Sequence, residues 1–292
     1  MSAGDTPEVS IALSMHNAAS TIEQALRSLL AQSYTHWELI LIDDGSSDDG
    51  LARAQRYADQ RFRVVAGGQR EGLAARLNQA IELARGRYLA RMDADDIAYP
   101  ERLERQFAYL QAHPEVDLLG AGMMVFAGDG RPAGVYNVQT THQAICARPL
   151  SGFYLAHPTW MGRTIWFRKW RYDVTCRKAQ DQDLLLRAWR SSHYAALPEP
   201  LVGYRQDALS LRKSGLGRYY FSRSILRATL HERRPLAGVG AVAVQATKLA
   251  ADALAIGTGL ARTLLKHRAL AAPKAETERW RRVWAACTEP QG

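Results

Sequence analysis

The sequence predicts an α/β fold in which a mostly parallel sheet is covered by helices on both faces. Apolar runs of strand length alternate with helical patterns from residue 9 to about residue 92. The chain is 292 residues long and 47% apolar, which is enough to bury a large core. Parallel neighbours require crossover connections, and the helices that form those connections cover the sheet.

The individual elements follow from the spacing of the apolar residues. Strands show short apolar runs, whereas helices repeat apolar residues every three or four positions. The predicted strands are 9–14, 37–42, 62–66 and 88–92, and the predicted helices are about 20–30, 49–60, 73–85, 100–110, 181–191 and 219–230. Polar loops follow the first, second and fourth strands, at the edge where open α/β sheets bind ligands.

Charge is distributed unevenly along the chain. Residues 1–204 contain 22 Lys and Arg against 23 Asp and Glu, whereas residues 205–292 contain 16 against 6. We therefore divide the chain into an α/β domain at 1–212 and a basic, Ala-rich helical tail at 213–292. Such a tail predicts an anionic partner, either a lipid surface or nucleic acid, and a soluble set of basic helices is the alternative.

The cysteines and the N-terminus restrict the class of protein. Cys146, Cys176 and Cys287 are far apart and odd in number, so we expect neither a disulfide framework nor a structural zinc site. Residues 1–10 lack a basic stretch followed by an apolar core, so no signal peptide is expected there. Both observations favour a cytoplasmic location.

Three carboxylates follow the fourth predicted strand within four residues, at Asp93, Asp95 and Asp96. Ionised neighbours repel one another, so such a cluster needs a cation or solvent around it. Mg²⁺ and Mn²⁺ prefer oxygen ligands and are usually held by one or two carboxylates together with substrate phosphates. The cluster is a candidate metal site, and a solvated acidic loop is the alternative.

Two other acidic pairs lie where they can serve either a ligand or the local backbone. Asp43 and Asp44 begin a turn after the second strand, and a carboxylate there can accept hydrogen bonds from a base N–H or a ribose hydroxyl. Asp181 and Asp183 open a predicted helix, where the helix dipole alone favours acids. A carboxylate at that position can instead act as a general base toward a hydroxyl.

Five motifs occur together and in order, at residues 9–17, 41–48, 72–78, 92–103 and 180–187. Over residues 8–210 the sequence thereby resembles family 2 glycosyltransferases, which have the GT-A fold. The resemblance implies a Rossmann-like GT-A sheet followed by a C-terminal helical extension. It also implies an inverting enzyme that moves a single sugar from a nucleotide-diphosphate sugar, with UDP-sugar as the default, to an acceptor hydroxyl.

The resemblance assigns donor contacts to residues of the first three motifs. Ser14 and Asp44 are implied to contact the nucleotide base and ribose, and Asp43 supports the same loop. Arg76 and Asn78 are implied to lie near the donor diphosphate or sugar.

The resemblance also implies a metal site and a catalytic base. Asp93 and Asp95 match the DxD pair of the family, which holds Mn²⁺ or Mg²⁺. Asp181 matches the family's general base, although Gln180 stands where the family usually has Glu. Asp183 is the alternative base. QxxRW, the motif of processive synthases in this family, is absent from the sequence, which favours the addition of a single sugar.

The expected acceptor is a carbohydrate or lipid-linked carbohydrate in cell-surface polysaccharide or glycolipid assembly. The apolar segment 236–272 contains Lys248, Asp252 and Arg262, so we expect it to lie on an anionic membrane surface, at the cytoplasmic face of the inner membrane, rather than to span it. No nucleic-acid module accompanies the basic tail, so nucleic acid is not an expected partner. A non-catalytic relative that binds nucleotide-sugars is the alternative function.

Overall fold

The computed structural model describes residues 6–57, 59–136, 138–206, 210–258 and 269–288. The strands are β1 (Val9–Met15), β2 (Trp37–Asp43), β3 (Phe62–Ala66), β4 (Tyr88–Asp93), β5 (Ile97–Ala98), β6 (Leu118–Phe126), β7 (Pro132–Tyr136), β8 (Met161–Arg163), β9 (Tyr194–Arg205) and β10 (Ala269–Leu270). The helices are α1 (Ile22–Leu30), α2 (Gly50–Gln55), α3 (Leu73–Leu83), α4 (Arg102–Ala112), α5 (His142–Ile145), α6 (Thr164–Trp170), α7 (Gln180–Ala188), α8 (Leu211–His231), α9 (Pro235–Gly257) and α10 (Lys274–Thr288).

The strands form one sheet in the order β10-β7-β6-β8-β4-β1-β2-β3, with β9 beside β6 and β5. The four strands predicted from the first 93 residues are neighbours, and all three pairings between them are parallel. This confirms the α/β class. The second half is mixed, because β7 and β8 pair antiparallel with β6, whereas β9 runs parallel to it. The short β6–β7 connection explains one of these reversals, since a tight hairpin can join only antiparallel strands.

Helices cover both faces of the parallel half. All seven residues of β2 are buried, and successive strand residues point to opposite faces. Leu39 packs in one core cluster with Leu26 of α1, whereas Ile40 packs in another with Leu77 of α3. The continuous apolar run 39–42 within this strand is therefore the consequence of burial on both sides.

Two helices end earlier than predicted. Helix α2 stops at Gln55 because Asp59 forms a turn before β3, in which its carboxylate accepts the backbone N–H of Arg61 at 2.8 Å. Helix α7 ends at Ala188 and is followed by a single turn of 3₁₀-helix, residues 189–191.

The tail begins with a helical hairpin. Helices α8 and α9 run antiparallel, since Gly215 lies against Leu249 and Thr229 lies against Gly238. By length and composition, α9 is long and apolar enough to cross a membrane, and 17% of its most apolar window is buried. The rest of the predicted apolar segment, including Arg262, lies largely outside the described residues.

Helix α10 returns to the sheet. Trp280 is 0% exposed and packs on Phe126 and Tyr99, with ring centroids 4.6 and 5.9 Å apart. Its indole Nε1 donates to the carbonyl oxygen of Gly130 at 2.7 Å. The last described helix of the predicted tail thus completes a core of the preceding domain. A boundary at residue 212 stays a prediction.

Trp280→Ala should destabilise the protein by about 3–5 kcal/mol, the usual range for loss of a buried aromatic side chain. The substitution empties a fully buried site and leaves the Gly130 carbonyl without its donor. Denaturant unfolding of the full chain measures the change. Arg281→Ala, an exposed position of the same helix, should change stability by less than ~0.5 kcal/mol. Equal stability of the two variants would contradict the conclusion that α10 packs into the core through Trp280.

Candidate active site

A cleft of about 520 Å³ opens where β4 ends and α7 begins. Asp93, the last residue of β4, and Asp181, in the first turn of α7, line it together. The segment 153–158 forms another wall, and Tyr204 of β9 completes the lining near the acidic loop. The structure therefore brings together two sequence-predicted carboxylates that are remote along the chain.

The acidic loop holds its three carboxylates close together. One oxygen from each of Asp93, Asp95 and Asp96 lies within 4.8 Å of the others. Asp96 is 1% exposed, and its Oδ1 accepts the backbone N–H of Arg205 at 3.0 Å. Its Oδ2 is buried without a hydrogen-bond partner among the described residues. An all-oxygen set with one unsatisfied buried carboxylate oxygen fits a hard divalent cation.

Electrostatics in this loop favours a ligand of opposite charge. Burial raises the pKa of Asp96 well above its usual range, and the charges of Asp93 and Asp95 raise it further. Desolvation and then the charge of Asp93 raise the pKa of Asp95. Arg91 and Arg205 offset these effects only in part, so the ionised cluster is unfavourable without further positive charge.

Arg91 is the functional candidate that the sequence reasoning missed. This residue of β4 is 3% exposed, lines the cleft, and pairs through Nη2 with Asp93 Oδ1. Its Nε and Nη1 have no hydrogen-bond partner among the described residues. A buried guanidinium with two free donors can bind an anion. The sequence feature that could have identified Arg91 is its position as a charged residue in an otherwise apolar strand, directly before the acidic loop.

The two candidate bases have different surroundings. Asp181 lines the cleft, and its Oδ2 accepts from Gln182 Nε2 at 3.3 Å. Burial raises the pKa of Asp181, which makes it a stronger base than an exposed carboxylate. Asp183 is 1% exposed and accepts from Arg187 Nε at 2.8 Å, Ser224 Oγ at 2.7 Å and Arg227 Nη2 at 2.6 Å. Position and partners favour Asp181 as the base and a positioning role for Asp183.

Residues of the first two motifs lie at the same edge of the sheet. Ser14 is in register with Asp93 across β1 and β4, and the backbone N–H of Asp44 donates to Met15 O at 2.8 Å. Asp43 accepts the backbone N–H of Ser46 at 3.1 Å and supports its own loop.

The carboxylate of Asp44 faces the N-terminus of α3 and not the 520 Å³ cleft. It accepts the backbone N–H groups of Glu71 at 2.8 Å and Gly72 at 2.9 Å, and Arg76 Nε at 2.9 Å. Asp44 therefore ties the loop after β2 to the start of α3.

Arg76 and Asn78 are bonded to other parts of the protein. Arg76 Nη2 donates to Gly67 O at 2.7 Å and to the carbonyl oxygen of Gln69. A Cβ at Gly67 would lie 2.0 Å from Asp43 O and 2.7 Å from Arg76 Cζ, so this close approach requires glycine. Arg76 therefore organises the loop before α3.

Asn78 connects α3 to a wall of the cleft. Its amide donates to Tyr172 O and accepts the backbone N–H of Tyr172, both at 2.9 Å. The Tyr172 hydroxyl in turn lies 2.8 Å from Nε2 of His157, which lines the cleft. Burial and the charge of Arg91 lower the pKa of His157 well below its usual range, so the imidazole is neutral near pH 7.

The chain is similar to known glycosyltransferase sequences. Residues 10–171 match the family described as Glycosyl transferase family 2. EpsE of Bacillus subtilis (strain 168), which is named as a glycosyltransferase, is 33% identical over 214 residues that cover 71% of this chain and 76% of EpsE. The O-antigen biosynthesis glycosyltransferase WbnJ of Escherichia coli is 27% identical over 233 residues that cover 77% of this chain and 90% of WbnJ.

Solved structures share the fold. S. aureus TarS 1-349 in complex with UDP-GlcNAc matches with a TM-score of 0.60 and 18% identity, over 97% of this chain and 82% of that one. Mannosyltransferase PcManGT from Pyrobaculum calidifontis in complex with GDP-Man and Mn²⁺ matches with a TM-score of 0.58 and 18% identity, over 96% of this chain and 86% of that one. The fold is that of GT-A glycosyltransferases. Together with the family match over more than half of its length, this shows that the chain belongs to glycosyltransferase family 2.

Proposed function

We propose that this glycosyltransferase moves a single sugar from a nucleotide-diphosphate sugar, with UDP-sugar as the default donor, to an acceptor hydroxyl with inversion at the anomeric carbon. One observation carries the proposal: Asp181 shares a cleft with Asp93, the first carboxylate of the acidic loop. A base and an anion-stabilising site on one cleft are what in-line displacement of a diphosphate requires.

Asp95 and Asp93 would hold Mn²⁺ or Mg²⁺, with the unpaired Oδ2 of Asp96 beside them. When bound, the ion stabilises the negative charge that develops on the leaving diphosphate. The free Nε and Nη1 donors of Arg91 bind the donor diphosphate or sugar on the cleft side of the loop. Excluding water from these charges strengthens their interaction with the diphosphate.

Asp181 accepts the proton of the acceptor hydroxyl as its oxygen forms the bond to the anomeric carbon. The bond from that carbon to the diphosphate oxygen breaks on the opposite side, so the configuration inverts and no sugar–enzyme bond forms. Burial raises the pKa of Asp181, which supports this role because it strengthens the carboxylate as a base.

Ser14, Asp43 and Asp44 lie at the same edge of the sheet as Asp93, and we infer that this edge receives the base and ribose of the nucleotide. We infer that Arg76 and Asn78 act on the donor indirectly. Arg76 shapes the loop beside the nucleotide, and Asn78 holds the Tyr172 segment of the cleft wall.

The acceptor class is proposed from the relatives. WbnJ is named for O-antigen biosynthesis, which supports a carbohydrate or lipid-linked carbohydrate acceptor in cell-surface polysaccharide or glycolipid assembly. We also propose that the protein is located in the cytoplasm, at the cytoplasmic face of the inner membrane. A non-catalytic relative that binds nucleotide-sugars is the alternative, and turnover of the donor distinguishes the two.

Nucleoside diphosphates with Mn²⁺ should stabilise the protein by about 2.7 kcal/mol at a hundredfold excess over Kd. Thermal melting with UDP, GDP and dTDP, each with and without Mn²⁺, measures this shift. Asp95→Asn should remove the Mn²⁺-dependent part, whereas Asp129→Asn, an exposed acid in the β6–β7 turn, should not. The absence of any response to nucleotide with metal would contradict donor binding.

Asp181→Asn should lower kcat by about 10²–10⁴-fold, the usual contribution of a general base. Binding of UDP should be retained, because Asp181 lies on the acceptor side of the reaction. Asp183→Asn disturbs a buried ion pair and should instead lower the melting temperature, with less than a tenfold loss of kcat for the folded enzyme. The reverse pattern would make Asp183 the base.

Arg91→Gln should lower kcat/KM by about 10²–10³-fold, as expected for loss of a donor aimed at developing negative charge. Arg63→Gln, on the exposed side of β3, is the matched control and should leave kcat/KM unchanged. Steady-state assays with a competent donor measure both. Equal activity of the two variants would exclude a role for Arg91 at the diphosphate or sugar.

A further inference from the structure

Helix α9 carries its polar side chains on the face that contacts the protein. Gln245 and Asp252 are each 4% exposed. Arg218 of α8 donates to both, at 3.3 Å to Gln245 Oε1 and 2.6 Å to Asp252 Oδ2. Lys248 Nζ donates to Ser151 O at 3.1 Å. Both charged side chains of α9 are therefore used in contacts within the protein.

The outward face of α9 is apolar along its length. Leu236 is 86% exposed, Leu254 is 69% exposed and Val239 is 62% exposed. Among the exposed positions of this helix, Thr247 alone has a polar side chain. A water-facing helix has the opposite arrangement, with apolar residues toward the core and polar residues outside. The outward face is thus suited to apolar surroundings.

Helix α8 adds positive charge beside this face. Its exposed basic residues include Arg212, Lys213 and Arg223, whereas Arg227 is paired with Asp173 and Asp183, and its exposed positions include no Asp or Glu. Leucine and tyrosine occupy the exposed positions between them. Residues 211–258 contain eight Lys and Arg and two Asp and Glu. A surface that combines exposed apolar and basic groups is complementary to an anionic lipid headgroup layer.

We propose that the outward face of α9, flanked by the basic residues of α8, binds an anionic phospholipid bilayer with the hairpin lying in the plane of the interface. This inference does not depend on the donor or on inversion. The sequence predicts a basic tail at a membrane surface, and the structure narrows this contact to one face of one helix.

The hairpin lies in the interface and does not span the bilayer. At about 1.5 Å per residue, the 23 residues of α9 are long enough to cross the hydrocarbon. Crossing would place Lys248 and Asp252 in hydrocarbon, together with Arg218 and Arg223 of the antiparallel α8, which is unfavourable for each charge. An in-plane orientation buries the apolar face and leaves these charges at the headgroup level or against the protein.

Charge and polarity also argue against two other partners for the outward face of α9. A second copy of the same hairpin would bring the basic residues of α8 against each other. A nucleic acid would desolvate the apolar strip of α9, which offers it almost no hydrogen-bond donors. An anionic bilayer provides apolar surroundings for the strip and negative charge for the basic residues.

Membrane binding would also place the cleft near the lipid. Lys248 joins α9 to Ser151, and the following residues, 153–158, line the cleft. Tyr154 in this segment is 58% exposed. A bilayer on α9 would therefore adjoin the wall of the active site, within reach of a lipid-linked acceptor.

Flotation of the full-length protein with unilamellar vesicles tests this surface. We expect binding to vesicles of equal parts phosphatidylcholine and phosphatidylglycerol, weakened by salt, and little binding to phosphatidylcholine alone. The double variant Val239→Glu/Leu254→Glu should lower the partition coefficient by at least about tenfold, because both positions enter the apolar layer.

The matched control places the same two charges on other exposed apolar positions. Ala52→Glu/Ile165→Glu alters exposed apolar positions on α2 and α6, outside the hairpin, and should leave vesicle binding at the wild-type level. Equal losses in the two double variants would show an effect of net charge alone and would overturn the proposal.

A second double variant tests the basic flank of this surface and introduces no glutamates that disturb folding. Arg212→Gln/Lys213→Gln should weaken binding to anionic vesicles by roughly 25-fold at low salt, since each basic residue near the surface contributes about fivefold. Lack of vesicle binding by the wild type would overturn the proposal. So would a dimer in sedimentation equilibrium that Val239→Glu/Leu254→Glu dissociates, or duplex DNA binding in place of vesicle binding.

Discussion

The charge balance at the end of β4 is the constraint on which the rest of the site depends. Burial and then the charge of Asp93 raise the pKa of both Asp95 and Asp96, and Asp96 keeps a buried oxygen without a partner among the described residues. Arg91 pairs with Asp93 but keeps two donors free. Buried charges and polar groups are unfavourable until they are paired. The edge of the sheet is therefore suited to both a cation and an anion, which the proposed metal-bound diphosphate would supply.

Helix α8 connects this site to the surface of the molecule. On one side, Ser224 and Arg227 hold Asp183, so the first turn of α7 is fixed where it presents Asp181 to the cleft. On the other side, Arg218 holds the polar face of α9 and leaves the apolar face of that helix outside. A single element thus positions the proposed catalytic base and orients the proposed membrane surface, so a tilt of α8 would alter both.

Part of the site could be predicted from local sequence, because the residues that matter follow strand ends. Asp93 and Asp181 do share a cleft, as their positions after a strand and at a helix start suggested. The roles of Asn78 and Arg91 could not be predicted in this way. Asn78 is bonded to Tyr172, 94 residues away, and Arg91 is made functional by the burial of its strand. Neither a distant hydrogen bond nor the environment of a strand is encoded in local spacing.

The sequence by itself determined the strands and helices of the parallel half of the sheet, since apolar periodicity is a local property that records which faces are buried. It also determined that the last third of the chain is basic and apolar. Only the tertiary structure decided that α10 returns to the core, that Asp183 is held by α8 whereas Asp181 lines the cleft, and that α9 turns Gln245 and Asp252 inward. Each of these depends on which distant segment covers a given face, and composition alone cannot distinguish a helix with a buried apolar face from one with an exposed apolar face.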